Sequence, residues 1–511
     1  MHNEVFIDPR PLSRAQVVSV ARGGSAVRLS EVAEQGIVTT RKHIEALAAE
    51  ERPVYGVSTG FGALAVRHIP SERRAALQQS FVRSHAAGAG EPVEPEVVRA
   101  QMLLRLHTIA TGHTGVRPAT AHALAAMLNA GIVPVVHEHG SLGCSGDLAP
   151  LAAVALALTG EGEVLDVSGR RAPAAEALAD AGIEPVVLAE KEGLALTNGT
   201  DGMLGMLVLA LRDINALIDV ADLTAAMSVE ALLGTDRPFA ADLHALRPHP
   251  GQAVSAARMA AFLAESPIVA SHRGPDCPRV QDAYSLRCSP QVHGAARDTV
   301  GHAETVADRE LAAAIDNPVV LPDGRIESNG NFHGAPLGYV LDFLAIAMAD
   351  VASICDRRTD RMLDVARSHG LPAFLADDPG VDSGHMIAHY TQAGIVSELK
   401  RLAVPASVDS IPTSAMQEDH VSMGWAAARK LRRAVDGLTT VLAVELLTAA
   451  RALDLRAPLE PAPATGAVRD LLRRDVAGPG PDRHIAPEIA AAEQLIRNGD
   501  VLAAAEPGRN R

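Results

Sequence analysis

The chain has 511 residues, 48% of them hydrophobic, which excludes a disordered protein and leaves room for more than one domain. Aromatic residues are only 3%, so alanine and leucine carry the apolar content, and close-packed helices are favoured over sheets. A formal net charge of −15 argues against nucleic acid or an anionic membrane as partner.

In chain order, the N-terminal "MHNEVFIDPRPLS" carries charges and prolines where a secretory signal would be apolar, and it reads as no signal. The first ~190 residues, a plausible domain size, alternate short helical patterns with glycine-rich loops such as "YGVSTGFGALA" (55–65) and "SHAAGAGEP" (84–92). Residues 203–233 are apolar almost all round, with Leu204, Leu207, Leu211, Ile214 and Ile218, as in a helix buried inside a bundle. A second long helix is expected over 337–364, with Leu341, Leu344, Met348, Val351 and Cys355 on one face. A third is expected over about 417–451, where Leu431, Val435, Leu438 and Leu442 recur at helical spacing. Asp342 and Asp350 interrupt the most apolar of these, and no run reaches the ~18 uninterrupted apolar residues of a membrane helix. Three long helices suggest an elongated, mainly α bundle. The polar loops between them, 279–292, 327–336 and 405–420, are where function is expected. Four cysteines (Cys144, Cys277, Cys288, Cys355) are too few and scattered for a disulfide framework, so a reducing cytoplasm fits best.

The chemistry centres on "GSLGCSGDLAPLA" (140–152). A phosphate loop needs a lysine after its last glycine, and here the acidic Asp147 follows Gly146. A metal site is poorly served, because His137 and His139 lack the i,i+4 spacing of a helical zinc motif, His272 and Cys277 lie apart, and there is no CxxC pair. Cys144 as a nucleophile is open, since His137 and His139 are near in sequence and could lower a thiol pKa. A cysteine in a Gly/Ser turn is nonetheless more often structural. The remaining reading uses the backbone. The Gly146 nitrogen can attack the carbonyl carbon of residue 144, because glycine tolerates the strained geometry. Loss of water from that ring and from the Ser145 side chain gives a 4-methylidene-imidazol-5-one, a strong electrophile. In this scheme Cys144 lends only its carbonyl, and its side chain is a bystander.

This loop resembles that of the aromatic amino acid ammonia-lyases, and most closely that of their histidine-specific members. The blocks "YGVSTGFG", "RSHAAG", "TGVRP", "EGLALTNGT", "RPHPGQ", "VQDAYSLRC", "DNPVV", "SNGNFHG" and "SVDSIPTSAMQEDHVSM" are similar to family blocks in family order, from Tyr55 to Met423. The resemblance implies a fumarase/aspartase-like helical bundle with a smaller N-terminal domain carrying the prosthetic-group loop, divided here as residues 1–195 and 196–511. It implies a methylidene-imidazolone made autocatalytically from Cys144-Ser145-Gly146, with no external cofactor and no metal. It also implies a homotetramer whose active sites draw on more than one subunit. The implied reaction is elimination of ammonia from L-histidine to give trans-urocanate. An electrophile must capture the amine, and a positioned base must take the β-proton.

By the same resemblance Tyr55 is the base, although a phenol of pKa about 10 needs a positive field to act so. Tyr284 is a second tyrosine assisting the ring chemistry. Arg287 grips the substrate carboxylate, to which a guanidinium fork is suited, and it shares the face of Tyr284 if that segment is helical. Asn198 and Gln281 hold the prosthetic group and the carboxylate, and Phe332 walls the ring. His85 could hydrogen-bond an imidazole, but tyrosine-specific relatives carry histidine there too. Glu418 discriminates better, because phenylalanine and tyrosine relatives have a neutral glutamine in the matching segment. It could also simply cap the following helix. Two departures from the family pattern stand out: Cys144 replaces the commoner alanine, and Ala153 stands where many relatives have histidine. A tyrosine or phenylalanine ammonia-lyase or aminomutase is the near alternative. A thiol hydrolase using Cys144, or a non-catalytic bundle, is the distant one.

Overall fold

The computed structural model describes residues 4–49, 56, 58–60, 67–274, 277 and 280–506. Tyr55, expected as the base, lies outside the described residues. Helices dominate, and the long ones follow the apolar periodicity. They are Asp201–Ala231, Ser289–Leu311, Ala335–Leu363 and Gly424–Asp454. The expected apolar positions on three of these, among them Leu207, Ile214, Leu344, Met348, Leu431 and Leu438, are fully buried.

The third expected helix starts at Gly424 rather than near 417. Thr413 and Glu418 pair across a tight turn, and Ser414, Ala415, Met416 and Met423 hold positive φ, a left-handed backbone that no α-helix accommodates. Glu418 therefore lies six residues before the helix and does not cap it.

The chain divides into two compact units. The first comprises residues 1–210, 304–342 and 405–429. It holds the small sheets found among the described residues. Val5–Ile7 runs parallel to Val27–Leu29, with Val5 opposite Val27. Ala89–Pro92 pairs antiparallel with His137–His139. Glu163–Leu165 lies between Val133–Pro134 and Arg171–Pro173, and Val319–Val320 pairs with Ile326–Glu327. Its helices start at well-defined signals. Ser13 forms a capping box with Gln16, Ser30 caps Glu31–Ala48, and Pro95 and Pro118 open their helices.

The second unit comprises residues 211–303, 343–404 and 430–511. A fully buried polar group runs through it. Arg358 is paired with Glu445, and Glu445 also accepts from Thr224 (2.8 Å) and Ser228 (3.0 Å). Arg358 Nη1 donates to Ser289 Oγ (3.0 Å) and to the Ser285 carbonyl (3.3 Å). Buried charge of this kind persists only when paired and hydrogen-bonded.

Helix Ala335–Leu363 is long and apolar enough to cross a membrane by length and composition, with a mean hydropathy of 1.7 over its most apolar window. That window is 61% buried inside the protein, as in a core helix.

Candidate functional site

The loop 140–147 leads into helix Leu148–Leu158 in the first unit. Gly143 and Gly146 both hold positive φ, at 65° and 76°. At Gly146 the reason is close approach. It bridges Gly199, and a Cβ there would lie 2.6 Å from the Gly199 nitrogen and closer still to its carbonyl. The Gly199 carbonyl accepts the Asp147 N–H at 2.7 Å, so two backbone segments press together directly behind the triplet. Gly199 is backed in turn by Arg105, whose guanidinium pairs with Asp201 and donates to the Ala195 carbonyl (3.1 Å); the two charged side chains are 1% and 3% exposed.

Hydrogen bonds fix the rest of the loop. Ser422 Oγ (2.7 Å) and Gly334 N (2.9 Å) both donate to the Gly143 carbonyl, and Met423 N donates to the Leu142 carbonyl (2.9 Å). Thus the segments around Phe332 and Glu418 are tied to the triplet loop. Asp147 is fully buried and accepts from Ser141 Oγ and Met203 N, each at 2.9 Å. Burial pushes its carboxyl up to about 7, against the pull of those two donors.

Glu418 reaches the triplet itself. Ser145 Oγ donates to its Oε1 (3.2 Å), while Cys144 Sγ (3.2 Å) and Thr413 Oγ1 (3.1 Å) donate to its Oε2. Cys144 is 5% exposed and packs with Val421 and Met423. Burial, and then the Glu418 carboxylate, push its thiol up to about 12. One sequence expectation is corrected by this geometry. No neighbouring histidine lowers the thiol pKa, so a thiolate nucleophile has no support. The cysteine side chain, outside the ring chemistry, donates to Glu418.

His85 ends helix Arg74–His85, with its ring 3.8 Å from that of Phe81. Its Nδ1 lies 2.9 Å from the Phe81 carbonyl. A carbonyl only accepts, so Nδ1 carries the proton and a neutral ring leaves Nε2 as an acceptor. Burial lowers the His85 pKa, with the Phe81 carbonyl and then Glu418 opposing the shift. Asn198 is buried and donates to the Asn317 carbonyl at 3.4 Å. The preceding Asp316 is anchored on Lys191 by a fully buried ion pair of 2.5 Å. Phe332 is half-buried in the loop before helix Ala335–Leu363.

Gln281, Tyr284 and Arg287 fall in the second unit. Tyr284–Arg287 is a single helical turn, as the shared-face expectation required, and the Arg287 Cζ sits 4.7 Å from the Tyr284 ring centroid. Arg287 Nε is buried with no hydrogen-bond partner among the described residues. Gln281 is exposed and lines a cavity of about 230 Å³ with Arg361, Arg367 and His369.

Sequence reasoning missed Asp147 as a site residue, using it only against a phosphate loop. Its place directly after the triplet was an available signal. It also missed Gly199, Thr413 and Ser422, which lie inside quoted family blocks, and Arg105, for which the local sequence offers no signal.

The residues fit a ring closed on residues 144 and 146. The cradle at Gly146 excludes any side chain, and the Ser145 hydroxyl is half-buried against a carboxylate.

Comparison with known proteins agrees in extent. Residues 12–474 match the profile of the family described as aromatic amino acid lyase. The chain is 65% identical over 510 residues to a histidine ammonia-lyase of Streptomyces griseus, covering 99% of both chains. It is 63% identical over 507 residues to one of Streptomyces avermitilis, again covering 99% of both. Among solved structures, a histidine ammonia-lyase from Trypanosoma cruzi superposes with a TM-score of 0.91 at 37% identity, over 99% of this chain and 95% of that one. A tyrosine aminomutase from Streptomyces globisporus does so with a TM-score of 0.91 at 37% identity, over 98% of each chain. The fold is thus shared by enzymes of different names, whereas these two Streptomyces relatives, at 63% and 65% identity, are both named histidine ammonia-lyase. The chain belongs to the aromatic amino acid lyase family.

Proposed function

We propose that the chain eliminates ammonia from L-histidine to give trans-urocanate, through a methylidene-imidazolone formed from Cys144-Ser145-Gly146. It is a carbon–nitrogen lyase of histidine metabolism, as its relatives of 63–65% identity are named. The observation that carries the prosthetic-group reading is the contact of Gly146 with Gly199, which drives the Gly146 backbone into a bend only glycine adopts freely. The Gly146 nitrogen bonds to the Cys144 carbonyl carbon, and that carbonyl oxygen leaves as water. Ser145 loses its hydroxyl with its α-hydrogen as a second water, leaving the methylene. Once formed, the ring supplies an electrophile that captures the substrate amine and makes it a leaving group.

The chain's other residues bind and orient. Arg287 has an unspent buried N–H for the substrate carboxylate, and Gln281, six residues earlier, joins it there. Tyr55 takes the β-proton, Tyr284 assists at the ring, Asn198 holds the prosthetic group and Phe332 forms a wall. His85 Nε2 and the Glu418 carboxylate are both acceptors. An imidazole with two N–H groups, the charged form, can donate to both, whereas a phenyl ring offers neither a donor.

The assembly proposed is a homotetramer with shared sites. Helix Ala335–Leu363 supports self-association, since Tyr339, Phe343 and Ile346, at helical spacing along one stripe, are 46–53% exposed. A cytoplasmic location accords with four unpaired cysteines. The test is an ultraviolet assay of the purified chain with L-histidine, L-tyrosine and L-phenylalanine. Urocanate formation from L-histidine in preference to the others is expected. Turnover of L-tyrosine without L-histidine would overturn the assignment.

A further inference from the structure

The geometry points to Cys144 as a positioning residue for substrate recognition, its thiol holding one oxygen of Glu418 while ring formation frees the other for the imidazole. This rests on the prosthetic-group reading above. In the unprocessed chain the Glu418 carboxylate is shared out. Oε1 accepts from Ser145 Oγ at 3.2 Å, and Oε2 accepts from Cys144 Sγ and Thr413 Oγ1 at 3.2 and 3.1 Å. The second dehydration expels the Ser145 hydroxyl as water. Oε1 then loses its donor and becomes available, while Oε2 keeps both of its own.

Several features hold the thiol to this task. Its side chain is buried among Val421 and Met423, with Leu142 and Ala406 packed alongside, which restricts its rotamers. Thr413 and Glu418 are locked by two backbone hydrogen bonds, Thr413 N to the Glu418 carbonyl (3.0 Å) and Glu418 N to the Thr413 carbonyl (3.3 Å). The thiol stays protonated, and so a donor, because burial and the carboxylate push it up to about 12. With alanine at 144, Oε2 keeps Thr413 alone and the carboxylate is free to swing. Ring chemistry needs only the carbonyl of residue 144, so the side chain can serve recognition without touching the electrophile's formation.

The test uses binding as well as turnover. The Ser145→Ala chain cannot form the methylene and lacks the same hydroxyl, so it binds L-histidine without consuming it. Calorimetry on Ser145→Ala, Ser145→Ala/Cys144→Ala and Ser145→Ala/Cys144→Ser then isolates the thiol. Removing the thiol is expected to weaken L-histidine binding about fivefold, equivalent to about 1 kcal/mol. Serine, which restores a donor, is expected to recover it to within about twofold on the same scale. In the Ser145-containing enzyme, Cys144→Ala should still lose two waters by intact mass. It should raise KM for L-histidine several-fold while changing kcat less. Equal L-histidine binding by all three chains, with an unchanged KM, would overturn the inference alone. A wild-type chain that keeps both waters would overturn the prosthetic-group reading and this inference with it.

Discussion

Gly199→Ala is the sharpest perturbation of the loop's mechanical support. Gly199 does not hold positive φ, so the cost of a side chain there is steric and not conformational. A Cβ would sit 2.9 Å from the Arg105 Cζ, with Nη2 and the Asp201 carboxylate closer still. Neither group can yield cheaply. Both are at most 3% exposed, and the guanidinium is also held by the Ala195 and Ile315 carbonyls at 3.1 and 3.4 Å. Opening a buried ion pair costs about 3–5 kcal/mol. The alternative is for Gly199 to move toward Gly146, where contact is already tight, and so displace the carbonyl that accepts from Asp147 N at 2.7 Å. Urea unfolding should show a loss of about 3–5 kcal/mol. Intact mass of the folded fraction should show incomplete dehydration of the triplet. Wild-type stability with complete dehydration would refute the idea that Arg105 and Gly199 brace the reacting backbone.

Three further outcomes follow from the same geometry. Burial pushes the Asp147 carboxyl up to about 7. Its folded pKa is raised, so its stabilising contribution is full below the ordinary carboxylate range and is lost as pH rises from about 4 through 7. Asp147→Asn should therefore gain in unfolding free energy from urea titration relative to wild type across that window, by up to about 4 kcal/mol at about 1.4 per pKa unit, and a pH-independent difference would contradict it. The Cys144 thiol, pushed up to about 12, should resist iodoacetamide at pH 8 while the half-buried Cys277 and Cys288 are labelled, as peptide mapping would record. Glu418→Gln should lower kcat/KM for L-histidine roughly 10- to 100-fold, the worth of a hydrogen bond to a charged acceptor, and leave L-phenylalanine turnover little changed. An unaltered preference for L-histidine would remove Glu418 from substrate recognition.

Much of this arrangement was legible in the sequence because it is local. The apolar spacing of Leu204 to Ile218 and of Leu431 to Leu442 marks helices that the fold buries. The triplet announces itself by its glycines, and Tyr284 and Arg287 lie in the block "VQDAYSLRC" that carries the family resemblance. What was not legible depends on contacts distant in sequence. Arg105 looks like one more charge on helix Pro95–Ala110, and only packing against Gly199 reveals it as a brace. The start of helix Gly424–Asp454 is hidden in the sequence because the Thr413–Glu418 pairing, with its run of positive φ, has no glycine to mark it. The strands of two to four residues carry too few positions for an alternation to show. The thiol–carboxylate contact joins residues 274 positions apart.

Cyclisation of residues 144 to 146 is the central chemical event. Intact-mass spectrometry of the purified chain, beside its Ser145→Ala variant, addresses this directly. The wild-type chain is predicted to weigh less than its sequence by two water molecules. The variant, unable to form the methylene, is predicted to lack the full loss and to leave L-histidine unconverted. A wild-type chain at full sequence mass that still converts L-histidine would contradict the account at its centre.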